Sequence, residues 1–219
     1  MMESGVYGVF SDVHGNLAAL RSVWAALNDL GITDRPILNA GDNVGYGDAP
    51  EACVQFVRAH SNIVTTQGNY DKNVALFPTR EPEYRKKWGR SRPEKFEALE
   101  RDSRLVSDGS RGWLLDLPKE VELVLDDVPV LVTHYAPGRK EGLGRWTPDS
   151  RLAELARETS AKVVVCGHTH TPFVRQVGGV LWVNPGTVGR SWSGGPSYAL
   201  LTLQPGQTPQ ARLKHAGKL

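Results

Sequence analysis

The sequence predicts an α/β sandwich built on mixed β-sheets. The early part of the chain alternates short apolar runs with helical patterns, whereas the part beyond residue 117 turns to closely spaced strand-like runs. Each early apolar run also stops at a polar residue with a glycine close by. In α/β sheets that position, the carboxyl end of a strand, is where ligands bind.

Taken in order, Val6–Phe10 is a short apolar run that stops at Ser11 and Asp12. Asn16 then opens a helix with Leu17, Leu20, Trp24 and Leu27 on one face, and Gly31 closes it. Pro36–Asn39 is a second run, ending at Gly41 and Asp42, and Pro50–His60 reads as a helix. Asn62–Thr66 is a third run, ending at Gly68 and Asn69. The pattern aims Asp12, His14, Asp42 and Asn69 at one common rim. Residues 78–117 are rich in Arg, Lys, Glu and Trp and predict a helical cap insertion interrupted at Pro78, Pro82 and Pro93. Strands follow at Glu120–Leu125, Val130–Thr133, Lys162–Cys166, Phe173–Val177, Val180–Val183 and Tyr198–Leu203, with one helix at Ser150–Thr159. With no internal repeat or low-complexity tract, residues 1–219 read as one domain carrying its cap at 78–117.

Composition narrows the function classes. Hydrophobic residues make up 40% and charged residues 23% of the 219 positions, ordinary values for a chain with a sizeable core. The net charge of +2 is too small to imply nucleic-acid binding from bulk charge, so a small-molecule substrate is the first expectation. Cys53 and Cys166 lie in apolar runs without CxxC spacing and read as reduced core thiols. The N-terminal stretch lacks the basic and apolar regions of a signal peptide, and no apolar run has membrane-spanning length, so the expected compartment is the cytoplasm. Trp146 and Trp192 fall in loop-like stretches and are candidates to face a partner or substrate, while the oligomeric state is left open.

The chain has six histidines. His60 and His215 are given no role. His14, His134, His168 and His170 fall at the ends of strand-like runs, in the company of Asp12, Asp42 and Asn69. A lone histidine there is usually structural, but this concentration is hard to explain that way. The i,i+2 spacing of Asp12 and His14, and of His168 and His170, would aim each pair to one side of an extended segment. Imidazole with carboxylate suits borderline divalent metals, and no cysteine joins the set as in a structural zinc site. Seven ligands exceed one tetrahedral ion and suit two ions that share a carboxylate.

Five blocks, SDVHGN, GDNVGYG, QGNYD, THYAPG and GHTHTPF, stand in an order that resembles the signature of the calcineurin-like metallophosphoesterase family. NPGTVG at 184–189 is similar to the small prokaryotic phosphodiesterase branch, of GNxD type. The resemblance implies a four-layer αββα sandwich of two mixed sheets flanked by helices. It implies Asp12, His14 and His170 on a first metal, Asn69, His134 and His168 on a second, and Asp42 bridging both. It further implies hydrolysis of phosphate esters by in-line attack of a hydroxide held between the ions, with Asp42, Asn69, His134 and Tyr70 closest to the chemistry. Manganese is the expected metal, with iron, zinc, nickel or cobalt as alternatives.

Departures from the family pattern refine this. Protein Ser/Thr phosphatases of the family carry GDxxDRG and GNHE; here Gly45 and Tyr46 replace the Asp and Arg, and Tyr70 replaces the His. A phenol with pKa about 10 is a poor general acid near neutrality, though it can donate a hydrogen bond. A phosphodiesterase that favours good leaving groups is therefore expected, ahead of a phosphomonoesterase, a protein phosphatase or a non-catalytic scaffold of the retromer-subunit kind. Asp71 reads as a helix cap or as a catalytic group. Asn43, Tyr46 and Arg145 are candidate substrate contacts, with Arg139 and Lys140 in the same loop as Arg145. The basic run Arg80, Arg85, Lys86, Lys87, Arg90 and Arg92, interleaved with Tyr84 and Trp88, has acidic neighbours and reads as a solvated helix face.

Overall fold

The structure is a computed structural model that describes residues 5–191 and 195–217; Trp192 lies outside them. One five-stranded sheet is built from β1 (Gly5–Phe10), β2 (Ile37–Asn39), β3 (Ile63–Thr65), β9 (Ser197–Leu203) and β10 (Gln210–His215), in the order β10-β9-β1-β2-β3. The other holds β4 (Glu120–Leu125), β5 (Val128–Thr133), β6 (Val163–Val165), β7 (Phe173–Val177) and β8 (Val180–Asn184), in the order β4-β5-β6-β8-β7. Both are mixed: β1, β2 and β3 run parallel, as do β5, β6 and β8; antiparallel pairing through β9 and β10 completes one edge of the first sheet, and antiparallel β4 and β7 form both edges of the second.

The sheets pack face to face. Val9, Leu38 and Leu201 of the first meet Val130, Val163 and Val183 of the second in one apolar cluster. On the outer face of the first sheet, α1 (Leu17–Asp29) and α2 (Pro50–Ala59) bury Leu20, Val23, Leu27 and Cys53 against Phe10 and Ile37. On the outer face of the second, α6 (Asp149–Ala156) buries Leu152 and Leu155 with Trp182. This is the αββα sandwich expected from the sequence. Asn16 caps α1 by accepting a hydrogen bond from Ala19 N at 3.0 Å. Strand β10, with only Ala211 partly packed on the core, has an almost wholly exposed pattern, and no apolar alternation marked it in the sequence. Among the described residues, no helix is long and apolar enough to cross a membrane.

The cap differs in one respect from expectation. Helix α3 spans Asn69–Trp88 without a break, so Pro78 and Pro82 do not interrupt it, and it begins at a candidate metal ligand rather than at residue 78. Both prolines are exposed, whereas Val74, Phe77 and Tyr84 on the opposite side pack against Phe96 and Leu99 of α4 (Pro93–Leu105) and Leu114 of α5 (Asp108–Asp116). That packing outweighs the amide donor each proline removes. Pro93 does mark a boundary, at the first position of α4, where its missing N–H costs nothing.

Candidate metal centre

All seven expected ligands gather at the carboxyl ends of parallel strands. Asp12 and His14 follow β1, Asp42 follows β2, Asn69 follows β3, His134 follows β5, and His168 and His170 follow β6. The i,i+2 convergence does not arise on extended strand, as the spacing suggested. Asp12, His14, Asp42, Tyr46, His168 and His170 all adopt left-handed backbone, with φ of 56°, 50°, 58°, 70°, 69° and 56°. Among the described non-glycine residues only Asp126 and Asp127 share that conformation. Such residues cost about 1–3 kcal/mol each and persist only where the surroundings hold them. The surroundings here are backbone bonds between loops, among them Asp12 N to Gly41 O, His14 N to Asp42 O and Gly189 N to Asp12 O, each 2.9 Å.

The ligand atoms form two linked groups. His170 Nε2 lies 3.2 Å from Asp12 Oδ1 and 2.8 Å from His14 Nε2. His134 Nε2 lies 3.4 Å from Asp42 Oδ2 and 3.3 Å from Asn69 Oδ1. Asp42 Oδ2 stands between the groups, also 4.0 Å from His14 Nε2. The His168 ring sits 5.2 Å from that of His134 and 4.4 Å from that of Tyr135, whose hydroxyl donates to Asn69 Oδ1 at 3.0 Å.

This donor set fits divalent cations. Asp12 Oδ2 accepts from Ser11 Oγ at 2.7 Å and from His168 N at 3.0 Å, while Asp12 Oδ1 is buried with no hydrogen-bond partner. A buried carboxylate oxygen left without a donor is costly unless a cation meets it. His14 Nδ1 lies 3.2 Å from Val44 O and His134 Nδ1 lies 2.7 Å from Ala40 O. An Nδ1–H donated to a carbonyl turns the Nε2 lone pair toward the centre, the usual second contact of a metal-binding histidine. Burial pulls His14 and His168 down to about 4, so both imidazoles are neutral near pH 7. Burial pushes the Asp12 and Asp42 carboxyls up, but His170 beside Asp12 and His134 beside Asp42 outweigh it and hold both below the usual range. Burial likewise pulls His134 down, and the Asp42 carboxylate overrides it, raising His134 to about 9, so a cation binding at Nε2 would have to displace a proton there.

The other expected site residues are placed as follows. Tyr70 and Tyr46 line a cleft of about 430 Å³ over the ligands, together with Arg92, Lys95 and Arg190. Their hydroxyls meet, and the Arg190 guanidinium lies over the Tyr46 ring at 3.6 Å. Burial pushes the Tyr70 phenol far up, so it stays protonated. Asn43, expected at the substrate, is instead fully buried: its Oδ1 accepts from Asn39 Nδ2 at 2.8 Å and its Nδ2 donates to Asp71 Oδ2 at 3.2 Å. Arg145, also expected there, is exposed and lines neither this cleft nor the groove beside it.

Asp71 resolves in favour of a structural role. Its carboxylate accepts from the backbone N–H groups of Asp42, Asn43, Val44 and Gly68, at 2.9, 2.7, 3.3 and 2.9 Å. It thereby ties the start of α3 to the Asp42 loop. Gly68 is required at that junction because a Cβ there would collide with Asp42. Four residues went unnoticed in the sequence. Asp102 of α4 is fully buried and accepts from Gly45 N at 2.6 Å, and Arg101 donates to Gly47 O at 2.6 Å, so the cap grips the loop that bears Tyr46. The available signal was an acidic residue on the same face as Ala98 and Leu99. Lys95 and Arg190 carried no local signal.

The chain belongs to the calcineurin-like phosphoesterase superfamily, whose domain model matches residues 6–206. Membership places it among metal-dependent enzymes acting on phosphate esters. It is 27% identical to an uncharacterized protein of Methanocaldococcus jannaschii, over 85% of this chain and 71% of that one. It is 22% identical to a phosphodiesterase of the same organism, over 90% and 92% of the respective lengths. A hypothetical protein from Pyrococcus horikoshii shares the fold with a TM-score of 0.82 at 16% identity, covering 97% of this chain and 88% of that one.

Proposed function

We propose that the chain is a metal-dependent phosphodiesterase of the GNxD type that hydrolyses small phosphodiesters at a dinuclear centre. The observation that carries this reading is the placement of two buried carboxylates, Asp12 and Asp42, among four imidazoles and Asn69, with Asp12 Oδ1 lacking any donor. Asp12, His14 and His170 would hold one ion, Asn69, His134 and His168 the other, and Asp42 would serve both. Bound divalent ions, manganese first, supply a nucleophile near neutral pH and neutralise phosphoryl charge.

The protein's own groups do the rest. Lys95, Arg92 and Arg190 line the cleft over the ligands and set its charge for an anionic ester. Tyr70, kept protonated, donates a hydrogen bond rather than a proton, so the leaving group departs largely unassisted. This favours diesters with acidic leaving groups over alkyl monoesters. The relative bearing the name phosphodiesterase supports the same reading.

The test is hydrolysis of bis-p-nitrophenyl phosphate beside p-nitrophenyl phosphate, using chelator-stripped protein with manganese, iron, cobalt, nickel or zinc restored in turn. Restored activity that favours the diester is expected, and Asp42→Ala should abolish both activity and metal binding. Full activity in that variant, or a preference for alkyl monoesters, would sink the proposal.

A further inference from the structure

Beside the cleft over the metal ligands runs a second, larger groove of about 880 Å³. The two share Asn69, Lys95 and His168, so the groove opens directly onto the centre. Five of the chain's nine lysines line it: Lys72, Lys87, Lys95, Lys119 and Lys140. They come from α3, α4, the segment before β4 and the loop after β5, which only the fold brings together.

Among the described residues, eight of the protein's 26 basic residues pair with a carboxylate, all of them arginines. Arg85, Arg104, Arg111, Arg151 and Arg175 each pair with a carboxylate. The groove's two arginines do so as well, Arg80 with Glu83 at 3.7 Å and Arg139 with Glu158 at 2.5 Å. Among the described residues, none of the five lysines has a carboxylate at ion-pair distance. The groove's own carboxylates are engaged elsewhere: Glu83 holds Arg80, and Glu120 accepts from Gly138 N at 2.7 Å. Like charges gathered without counter-charge repel one another, and a cleft walled by one sign concentrates ions of the other.

We propose that this groove is an anion subsite continuous with the metal centre, holding further phosphoryl groups of a small polyphosphorylated substrate beyond the phosphate that is cleaved. The proposal rests on the phosphodiesterase reading above for its placement. The basic run lies exposed, as expected of a solvated face; Arg80 and Lys87 of that run also line the groove, while Arg85 pairs with Glu81.

A nucleic-acid strand fits less well. Single-strand grooves combine charge with open aromatic platforms over several nucleotides. Here Lys95 and Lys87 ammonium groups lie over the Trp88 ring at 4.4 and 4.9 Å, and Tyr84 is 3% exposed. The volume matches a single small ligand, for which about 300–1,000 Å³ is usual. Recognition is thus by phosphate charge, with lysines acting as point donors.

The experiment is calorimetric binding of inorganic tripolyphosphate and of orthophosphate to the chelator-stripped full chain, which removes metal chelation by the probe. Tripolyphosphate should bind at least about tenfold more tightly than orthophosphate. The triple variant Lys72→Ala, Lys119→Ala, Lys140→Ala, all exposed positions, should lose about tenfold or more of that affinity. The double variant Lys162→Ala, Lys214→Ala, outside the groove, should lose none. Equal binding by the triple variant and the parent overturns the proposal. So does affinity for a single-stranded oligonucleotide that keeps rising from about three to about twelve nucleotides, which would assign the groove to nucleic acid. Diester hydrolysis with no groove binding would sink the subsite alone. Groove binding with no hydrolysis under any metal would sink the phosphodiesterase reading instead.

Discussion

A Cβ placed on Gly45 would stand 2.5 Å from Cδ1 of Tyr70. These are two of the three positions at which the sequence departs from the protein phosphatase pattern, and the fold makes them one unit. Gly45 also has φ of 106°, which a side chain rarely adopts. The absent side chain leaves room for the Tyr70 ring, which meets His14 edge-on at 5.1 Å and joins its hydroxyl to that of Tyr46.

Gly45→Ala should therefore cost about 2–3 kcal/mol, from strain and overpacking together. In a Tyr70→Ala background the overpacking is gone and only strain remains, so the increment should fall to about 1 kcal/mol. Urea denaturation of the four proteins measures this, and strictly additive losses would show that the two sites are independent.

Tyr70→Phe should leave hydrolysis of bis-p-nitrophenyl phosphate within about threefold of the parent, because a hydrogen bond rather than a proton transfer is removed. The deficit should stay small across a leaving-group series. A loss that grows to a hundredfold or more as the leaving group becomes more basic would instead make Tyr70 a general acid.

Asp71→Asn exchanges a carboxylate that accepts four backbone N–H groups for an amide with one acceptor oxygen. Loss of about 2–4 kcal/mol is expected from the donors left unpaired in the interior, with metal affinity falling as the Asp42 loop loosens. Denaturation combined with metal titration tests both; wild-type metal affinity in the folded variant would contradict the link.

Glu51 joins α2 to the cap, accepting from Ser107 N at 3.0 Å, Ser107 Oγ at 3.1 Å and Ser110 Oγ at 3.0 Å. Burial pushes its carboxyl up, but these donors and Gln55 outweigh it and hold it below its ordinary 4.5. A depressed carboxyl contributes stability that is present above the unfolded value and lost as pH falls through the folded one. Glu51→Gln should be about 1 kcal/mol less stable than the parent at pH 7, a figure kept small for solvent screening. The gap should close progressively as the pH is taken below the ordinary value of 4.5. Melting curves across pH decide, and a gap that persists in acid would exclude the charge as its origin.

Ions that bind only the folded chain stabilise it by mass action, about 4 kcal/mol at a thousandfold excess over Kd. Chelator-stripped protein should melt lower than protein with manganese restored, and the difference should grow with ion concentration. Asp42→Ala should show no such shift.

The rim of ligands was legible because each residue closes a short apolar run, and strand ends are set by local pattern. The helix of α1 and its Asn16 cap were legible for the same reason. The span of α3 was not: its prolines read as breaks, and only the packing of Phe77 and Tyr84 on α4 and α5 keeps the helix whole. Asn43 looked available beside Asp42, yet the hydrogen bonds of Asn39 and Asp71 draw it inward.

By itself, the sequence determined most of the order of strands and helices and the seven candidate ligand types. These follow from residue identity and from periodicity along a few neighbouring positions. The tertiary structure alone decided that left-handed backbone turns the candidate ligands inward, that Asp102 and Arg101 of the cap hold the Tyr46 loop, and that five lysines from four segments share one groove without pairing to a carboxylate. Coulomb and steric forces act through space, so whether a charge is paired, or a glycine makes room for a ring, depends on distances that no local pattern encodes.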